Sequence, residues 1–154
     1  MRGPKVKSRI DILPIMNRLL FIIVTIILTI NGCESKHNAP DKIPDGIYTG
    51  TFQRQQAFGG GEIVQVTITF TSNTWTGQSS FQKYPALCHG TYKLDNQKIT
   101  FTNDCIWTAE FDHSLILSGE FEFELINNQL TIIRSYLGPS TDTWSDNYSL
   151  TKVD

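Results

Sequence analysis

The sequence lacks the short motifs by which many enzymes and nucleotide-binding proteins are recognised. It contains no Gly-x-Ser-x-Gly nucleophile motif, and its glycine run, Gly59–Gly61, is followed by Glu62 instead of the Lys-Ser or Lys-Thr pair of a phosphate-binding loop. Basic residues are also few, since 13 Lys and Arg stand against 15 Asp and Glu, a formal net charge of −2. We therefore expect a protein that is not an enzyme, requires no cofactor and binds no nucleic acid.

Cysteine is scarce as well. The three cysteines include no Cys-x2-Cys pair of the kind that zinc sites prefer. His89 and His113 are the candidate additional ligands, but strand alternation predicts that His89 points away from the face of Cys88. We therefore expect no metal site. Because Cys33 is the expected site of lipid attachment, as argued in the next paragraph, the two remaining cysteines, Cys88 and Cys105, are expected to form a disulfide.

Long hydrophobic runs are limited to one, Leu19–Ile30, whose twelve uncharged residues fall short of the roughly 20 that a transmembrane helix needs. Basic residues precede it, as in a signal peptide: Arg2, Lys5, Lys7, Arg9 and Arg18. The segment Ile30–Cys33 then resembles the lipobox at which lipoprotein signal peptides are cleaved. We expect a signal peptide over residues 1–32, with Met16 as an alternative start, and lipidation at Cys33. An uncut membrane anchor is the alternative.

Removal of this signal changes the charge balance and defines the remaining regions. It takes away five of the 13 basic residues and one of the 15 acids, which leaves 8 and 14, a formal charge of −6. Residues 33–45 are predicted to be the lipidated cysteine and a flexible tether, and residues 46–154 a single β-domain. Because Glu34–His37 carries no acidic cluster, we expect an outer-membrane lipoprotein of the cell envelope that faces the periplasm.

From Gly46 onward the hydrophobic pattern has the period of two that is typical of strands, and no segment shows a helical period. Three hairpins are predicted, with turns at Ser72–Asn73, Asn96–Gln97 and Asn127–Asn128. Further strands are predicted near residues 46–54, 106–111 and 143–153, with a weaker segment at 115–117.

The hairpin turns also predict which residues face each other. The first hairpin opposes Phe70 with Trp75 and Val64 with Phe81, and the third opposes Leu125 with Leu130 and Phe121 with Arg134. In the second hairpin, the register that pairs apolar Tyr92 with Phe101 also places Cys88 opposite Cys105. Side-chain periodicity and cysteine position therefore indicate the same register.

These strands predict an all-β fold, an antiparallel up-and-down meander with one disulfide. A sandwich and a barrel both fit a run of short hairpin-linked strands. We favour a closed barrel of about eight strands, because closure removes the two exposed edge strands.

Three stretches support a family resemblance: DGIYTGTFQR, then KYPALCHGTYKL with KITFTNDCIWTAEFD, and LILSGEFEFEL with LTI. They resemble small lipocalin-like lipoproteins of Bacteroidota, and the resemblance extends from about Asp45 to Lys152. It implies a lipocalin-like β-barrel, a lipid anchor and ligand binding. It carries over no catalytic residues.

Aromatic residues are predicted to face the barrel interior, where they either fill the core or line a ligand cavity. They are Tyr48, Phe52, Trp75, Phe81, Tyr92, Phe101, Trp107, Phe111 and Phe123. Phe58 lies in the glycine-rich segment, interpreted as a flexible loop at the barrel mouth. Arg134 is predicted to face inward, where it pairs with an acid, lies at the open end or meets an anionic ligand group. The candidate ligand-binding residues are Phe58, Trp75, Tyr92, Trp107, Phe121 and Arg134.

Two functions remain open from the sequence. The first is a lipid-anchored, non-catalytic binding module for a small hydrophobic ligand. The second is an interaction or inhibitor lipoprotein that meets a basic protein partner through acidic strands or loops. Glu120, Glu122 and Glu124 alternate with apolar residues and are predicted to face solvent, which disfavours the paired carboxylates of a glycoside hydrolase.

Overall fold

The computed structural model describes residues 40–137 and 143–153. This part of the chain contains eight strands and one short 3-10 helix, His113–Leu115. The strands are β1 (Gly46–Gln56), β2 (Gly59–Thr71), β3 (Thr74–Ser79), β4 (His89–Asp95), β5 (Lys98–Asn103), β6 (Gly119–Ile126), β7 (Gln129–Tyr136) and β8 (Trp144–Val153). Among these residues no helix is long and apolar enough to cross a membrane. The predicted signal peptide and Cys33 lie outside the described residues.

The strands form a closed antiparallel barrel, as the sequence predicts. Each strand pairs with the next along the chain, and β8 returns to pair with β1 over ten residue pairs from Ile47↔Val153 to Gln56↔Trp144. The barrel therefore has no free edge strand, which protects it from pairing with another chain.

Closure depends on a close approach of β1 to β8 at Gly50. A β-carbon at this position would lie 1.9 Å from the backbone oxygen of Ser149. Since real β-carbons do not come that near an oxygen, only glycine lets the two strands pair here without a backbone shift.

Three tight turns lie at one end of the barrel, which we call the turn end. They are the three predicted two-residue turns, and their first residues adopt left-handed φ values of 55° at Ser72, 54° at Asn96 and 55° at Asn127. Asn tolerates this conformation, so two turns have the expected chemistry. In the first turn, however, the left-handed residue is Ser72 and not the neighbouring Asn73.

The other four connections lie at the opposite end, which we call the loop end. They are the turn Ala57–Phe58, the β3–β4 loop (residues 80–88), the β5–β6 loop (residues 104–118) and the β7–β8 connection, of which Leu137 and Thr143 are described. In an up-and-down barrel, alternate connections must lie at the same end. Loops long enough to form a site therefore occur only at this end of the described barrel.

The predicted hairpin registers are largely correct. Phe70 pairs with Trp75, and Leu125 with Leu130. In the middle hairpin Tyr92 pairs with Phe101, and the disulfide Cys88–Cys105 closes its open end. A disulfide across a hairpin stabilises the fold mainly by restricting the unfolded chain, by roughly 3 kcal/mol for a loop of this size.

Aromatic side chains pack closely in the barrel interior. The ring of Phe101 lies 5.7 Å from Trp75, 6.4 Å from Tyr92 and 5.7 Å from Phe121. All four side chains are buried. Three of the candidate ligand-binding residues, Trp75, Tyr92 and Phe121, thus belong to the hydrophobic core.

Two strand predictions around the β5–β6 loop are wrong. Residues 106–111 and 115–117 form no strand. The side chain of Asn103 explains where β5 stops, because its Oδ1 accepts hydrogen bonds from the Cys105 amide (3.0 Å) and from Trp107 Nε1 (2.9 Å). These bonds turn the chain away from the sheet, and Trp107 and Phe111 become half-buried loop residues.

Two predictions near the first hairpins are also wrong. Phe81 does not face inward opposite Val64; it is exposed, because β3 ends at Ser79, whose hydroxyl donates to the Tyr84 carbonyl at 2.8 Å. Gly59–Gly61 is not a flexible loop but the start of β2. At Gly61 a β-carbon would lie 2.6 Å from both the Arg54 carbonyl and the Tyr84 hydroxyl, so this glycine permits close packing.

Candidate functional site

Three charged side chains lie inside the barrel at its loop end, above the aromatic core. Arg54 is on β1, Asp146 on β8 and Arg134 on β7. The strand register places Asp146 directly opposite Arg54 on one side and Arg134 on the other. We call these three residues the charged layer.

The charged layer is held by short hydrogen bonds. Arg54 donates from Nε to Asp146 Oδ1 (2.6 Å) and from Nη2 to Oδ2 (2.8 Å), a two-pronged contact. Arg134 donates from Nη2 to the same Oδ2 at 3.2 Å. Of the roles predicted for Arg134, the inward orientation and pairing with an acid are confirmed. Burial of such charges is tolerated only because they are paired and hydrogen-bonded.

The β5–β6 loop is fastened onto the charged layer. Asp112 Oδ2 accepts from Arg54 Nη1 at 2.9 Å, while its Oδ1 accepts from the Ser114 amide at 2.9 Å and so caps the short helix. The Ser114 carbonyl accepts from Arg54 Nη2 (3.1 Å) and Arg134 Nη2 (2.7 Å). The loop therefore covers this end of the barrel and is tied to it by both arginines.

The ionisation of the cluster follows from these contacts. Burial opposes the charge of Arg54, but hydrogen bonding to Asp146 and its negative charge outweigh this and raise the pKa of Arg54. For Asp112, burial acts to raise the pKa, but the Ser114 hydrogen bonds and the nearby Arg54 lower it below the usual value. Both groups are therefore charged at neutral pH.

Aromatic rings form the walls around the two arginines. The guanidinium carbon of Arg54 lies 5.2 Å from the Trp144 ring centre, and that of Arg134 lies 4.3 Å from Phe121 and 4.8 Å from Tyr136. Tyr136 and Trp144 stack on each other at 4.5 Å. These cation–π contacts place apolar surface directly beside fixed charge.

A pocket of about 370 Å³ opens beside this cluster at the loop end. Its lining combines apolar and polar groups: Arg54, Gln56, Ala57, Phe58, Asp112, Thr143 and Trp144. The Ala57 amide donates to the Thr143 carbonyl at 3.1 Å and so joins two of the connections that form the pocket. Trp144 Nε1 is buried and has no hydrogen-bond partner among the described residues. A concave site with a few fixed polar groups is typical of small-molecule binding.

The structure brings together only part of the predicted site. Phe58 lines the pocket, whereas Arg134 does not line it and bonds to Asp146 in the charged layer. Trp107 is separate, packed against Phe111 at 5.4 Å in the β5–β6 loop.

Sequence reasoning missed Arg54, Asp112, Trp144 and Asp146. One signal was present, because the alternation that turns Tyr48 and Phe52 inward also turns Arg54 inward.

A second pocket of about 360 Å³ lies outside the barrel wall, over β5, β6 and β7. Lys98, Glu122 and Glu124 are among its lining residues. Glu120, Glu122 and Glu124 are exposed, which confirms that this strand face points to solvent. Lys98 bonds to Glu120 at 2.5 Å, and this contact raises the pKa of Lys98.

The two disulfide sulfurs lie beside a histidine. His89 Nδ1 is 3.3 Å from Sγ of Cys88 and 3.3 Å from Sγ of Cys105. The prediction that His89 points away from Cys88 is therefore wrong, because Cys88 precedes β4 and strand alternation does not apply to it. Both sulfurs are bonded to each other, so neither is the thiolate that binds a metal ion.

No protein-family model, curated protein or solved structure matches the chain. The chemistry of the loop end must therefore be inferred from the residues and their geometry.

Proposed function

We propose that the protein is an exported lipoprotein and a non-catalytic binding module whose small hydrophobic ligand lies in the loop-end pocket. The signal-like segment before Cys33 supports an anchor in the outer membrane that faces the periplasm. The pocket beside Arg54 supports the binding role, because its size falls within the range of small-molecule sites, about 300–1,000 Å³.

The composition of the pocket carries the proposal and indicates the ligand's chemistry. Phe58 and Trp144 offer aromatic surface, and the guanidinium of Arg54 and the carboxylate of Asp112 lie on the same lining. A ligand with an apolar or aromatic body and one or two hydrogen-bonding groups fits this combination. It would lie at the barrel mouth and not among the packed aromatic residues of the interior.

The ionisation of the site supports binding without catalysis. General acid–base catalysis works best with a group whose pKa lies near the operating pH. Contacts within the cluster instead move both pKa values away from neutrality, because hydrogen bonding to Asp146 raises the pKa of Arg54 and the Ser114 hydrogen bonds lower that of Asp112. Their hydrogen bonds are also directed to each other and to Ser114, which suits a fixed binding wall.

Native mass spectrometry of the oxidised domain, residues 34–154, purified after export to the periplasm, tests this proposal. We expect a non-covalent adduct of small-molecule mass that disappears on denaturation and is lost in Phe58→Ser. Phe81→Ser is the matched control, since Phe81 is also an exposed loop phenylalanine but does not line the pocket. Equal loss in both variants, or an adduct that Phe58→Ser retains in full, would contradict binding at this pocket.

A second candidate function rests on the acidic outer face of β6. Glu120, Glu122 and Glu124 form an exposed row beside the outer pocket, and they suit a basic protein partner. Such binding should weaken steeply between low and high salt, whereas binding in the loop-end pocket should change little. Surface plasmon resonance against a cationic protein at two salt concentrations, with Glu122→Gln, separates the two.

The anchor has its own test. The full-length chain should incorporate labelled palmitate after export, and Cys33→Ser should not incorporate it while leaving the barrel folded. A wild-type protein that takes up no label would contradict lipidation at Cys33.

A further inference from the structure

The open end of the middle hairpin brings two sulfur atoms and a histidine ring into one cluster. Cys88 precedes β4, His89 is the first residue of β4, and Cys105 follows β5. Each residue offers one potential metal-ligating atom, and these three atoms lie within 4.8 Å of one another. We call Cys88, His89 and Cys105 the Cys-His cluster.

The Cys-His cluster has nearly the dimensions of a tetrahedral metal site with two sulfur ligands and one nitrogen ligand. With Zn–S bonds of about 2.3 Å and a Zn–N bond of about 2.0 Å, each sulfur lies about 3.5 Å from the nitrogen. His89 Nδ1 is 3.3 Å from Sγ of Cys88 and 3.3 Å from Sγ of Cys105. Both sulfur–nitrogen distances are therefore close to those of a metal site. Only the two sulfurs must move apart, to about 3.8 Å.

Backbone contacts hold the three residues at this end of the hairpin independently of the sulfur atoms. The Cys88 carbonyl accepts from the Gly77 amide at 2.7 Å. The Cys105 amide donates to Asn103 Oδ1 at 3.0 Å. His89 belongs to β4 and is paired with β3. Because these contacts do not involve the disulfide, its reduction should leave the three side chains close together.

The Cys-His cluster is accessible from solvent. His89 is exposed, and Cys88 and Cys105 are half-buried. Within the described ranges the ring nitrogens of His89 contact the two sulfurs and have no oxygen or nitrogen partner. A disulfide sulfur is at best a weak acceptor and has no proton to donate, so the imidazole has no strong partner in the oxidised protein. A reductant and a metal ion can both reach this site.

From this geometry we propose that reduction of the disulfide converts the Cys-His cluster into a site for a thiophilic metal ion such as Zn²⁺. A dithiol reductant supplies two electrons and two protons, so that the S–S bond breaks, two thiols form and the reductant becomes a disulfide itself. The metal ion then binds both sulfurs as thiolates and the neutral imidazole through Nδ1, and the two thiol protons pass to water. Three protein ligands leave a fourth position, which a water molecule fills.

The metal ion takes over the role of the disulfide as a crosslink. Cys88 ends the β3–β4 loop and Cys105 lies at the start of the β5–β6 loop, so both the S–S bond and the metal ion join these two loops. The hairpin end therefore stays closed in the oxidised protein and in the reduced, metal-bound protein. The inference does not rest on the pocket ligand, since none of the three residues lines the loop-end pocket.

Isothermal titration calorimetry with Zn²⁺ near neutral pH tests the proposal. The full chain, purified in a mild detergent, carries Cys33→Ser so that Cys88 and Cys105 supply the only thiols. It is reduced with dithiothreitol, which is removed in the absence of air, and is compared with the oxidised chain. We expect the reduced chain to bind one Zn²⁺ and to release about two protons, as thiol ligands must be deprotonated. The oxidised chain should show no such binding.

Two histidine variants of the reduced chain show whether the ring is a ligand. His89→Ala is expected to weaken Zn²⁺ binding about tenfold or more, because one of three protein ligands is lost. His113→Ala is the matched control, since His113 is also exposed but lies outside the cluster. It should bind Zn²⁺ like the unsubstituted reduced chain.

Cobalt(II) in place of zinc gives a second readout, because thiolate ligands produce a charge-transfer absorption in the near ultraviolet. This band should appear in the reduced chain and be lost in Cys105→Ser. Circular dichroism should show that the reduced, metal-bound chain keeps its β-structure. Absence of Zn²⁺ binding to the reduced chain, equal affinity of the reduced and oxidised chains, or an unchanged affinity in His89→Ala would each overturn the proposal. Binding by a chain that stays unfolded would also overturn it.

Discussion

Asp146→Asn removes one negative charge from the charged layer and leaves the volume of the side chain nearly unchanged. Asp146 faces both Arg54 and Arg134 and bonds to each of them. In the wild type, two arginines face Asp146 and Asp112, so the cluster is neutral. The variant therefore buries an excess positive charge at the loop end.

The expected cost follows from burial. The Arg54 side chain is 8 % exposed and that of Asp146 only 2 %, so water screens their interaction weakly. Removing one partner of such a pair costs about 3–5 kcal/mol in general. The amide side chain of the variant would keep one acceptor oxygen, and Arg54 would keep Asp112. We therefore expect a loss in the lower part of that range, about 3 kcal/mol, which lowers the equilibrium constant for folding roughly a hundredfold.

Urea unfolding at neutral pH, followed by tryptophan fluorescence, measures this cost. Glu120→Gln is the matched control, because it removes the carboxylate of a similarly short ion pair with Lys98. In that pair the Lys98 side chain is 54 % exposed and the Glu120 side chain 58 % exposed. Water screens that pair, so its loss should change the free energy of unfolding little. A loss in Asp146→Asn no larger than that of Glu120→Gln would refute the reasoning that the charged layer stabilises the closed barrel.

Three further results are expected. Gly50→Ala should lower the free energy of unfolding by about 1–3 kcal/mol in urea, because its β-carbon meets the Ser149 carbonyl, whereas Thr49→Ala should change it little. Burial raises the pKa of the Tyr148 hydroxyl in the folded protein above its value of about 10 in the unfolded chain. The unfolded chain therefore ionises first as the pH rises above about 10, and the free energy of unfolding falls there. Tyr148→Phe should reduce this alkaline loss when unfolding is measured over a series of pH values. The pKa of Asp112 is lowered in the folded protein, so its contribution to the free energy of unfolding is present above about pH 4 and is lost as the pH falls through the folded-state pKa. The stabilities of wild type and Asp112→Asn should therefore converge at acid pH. A difference in stability that stays constant with pH would contradict this expectation.

The sequence was most informative where structure is local. The bounds of β6 and β7 and the registers around Asn96 and Asn127 follow from a two-residue turn between alternating strands. Such a turn fixes the pairing of every residue that follows it. Barrel closure, by contrast, was predicted from a general argument about edge strands, and Gly50 is the residue that permits it.

The charged layer could be predicted only in part. The third hairpin shows that Arg134 faces inward, but its partner Asp146 lies on a strand whose register with β1 and β7 depends on closure. No turn in the sequence fixes the pairing of β8 with β1, so the meeting of Arg54 and Asp146 was not visible. Side-chain bonds from Asn103 likewise end β5 earlier than periodicity predicts.

Binding in the loop-end pocket, and not in the barrel interior, is tested most directly by the indole N–H signals in a nitrogen-15 NMR titration. The three tryptophans report on three places: Trp75 in the core, Trp107 in the β5–β6 loop and Trp144 at the pocket. Anilinonaphthalene sulfonate is a suitable probe, since it combines aromatic rings with an acceptor group. We expect a saturable shift of the Trp144 signal that Phe58→Ser abolishes, with Trp75 unmoved. A shift of Trp75, or no shift of Trp144, would contradict the account.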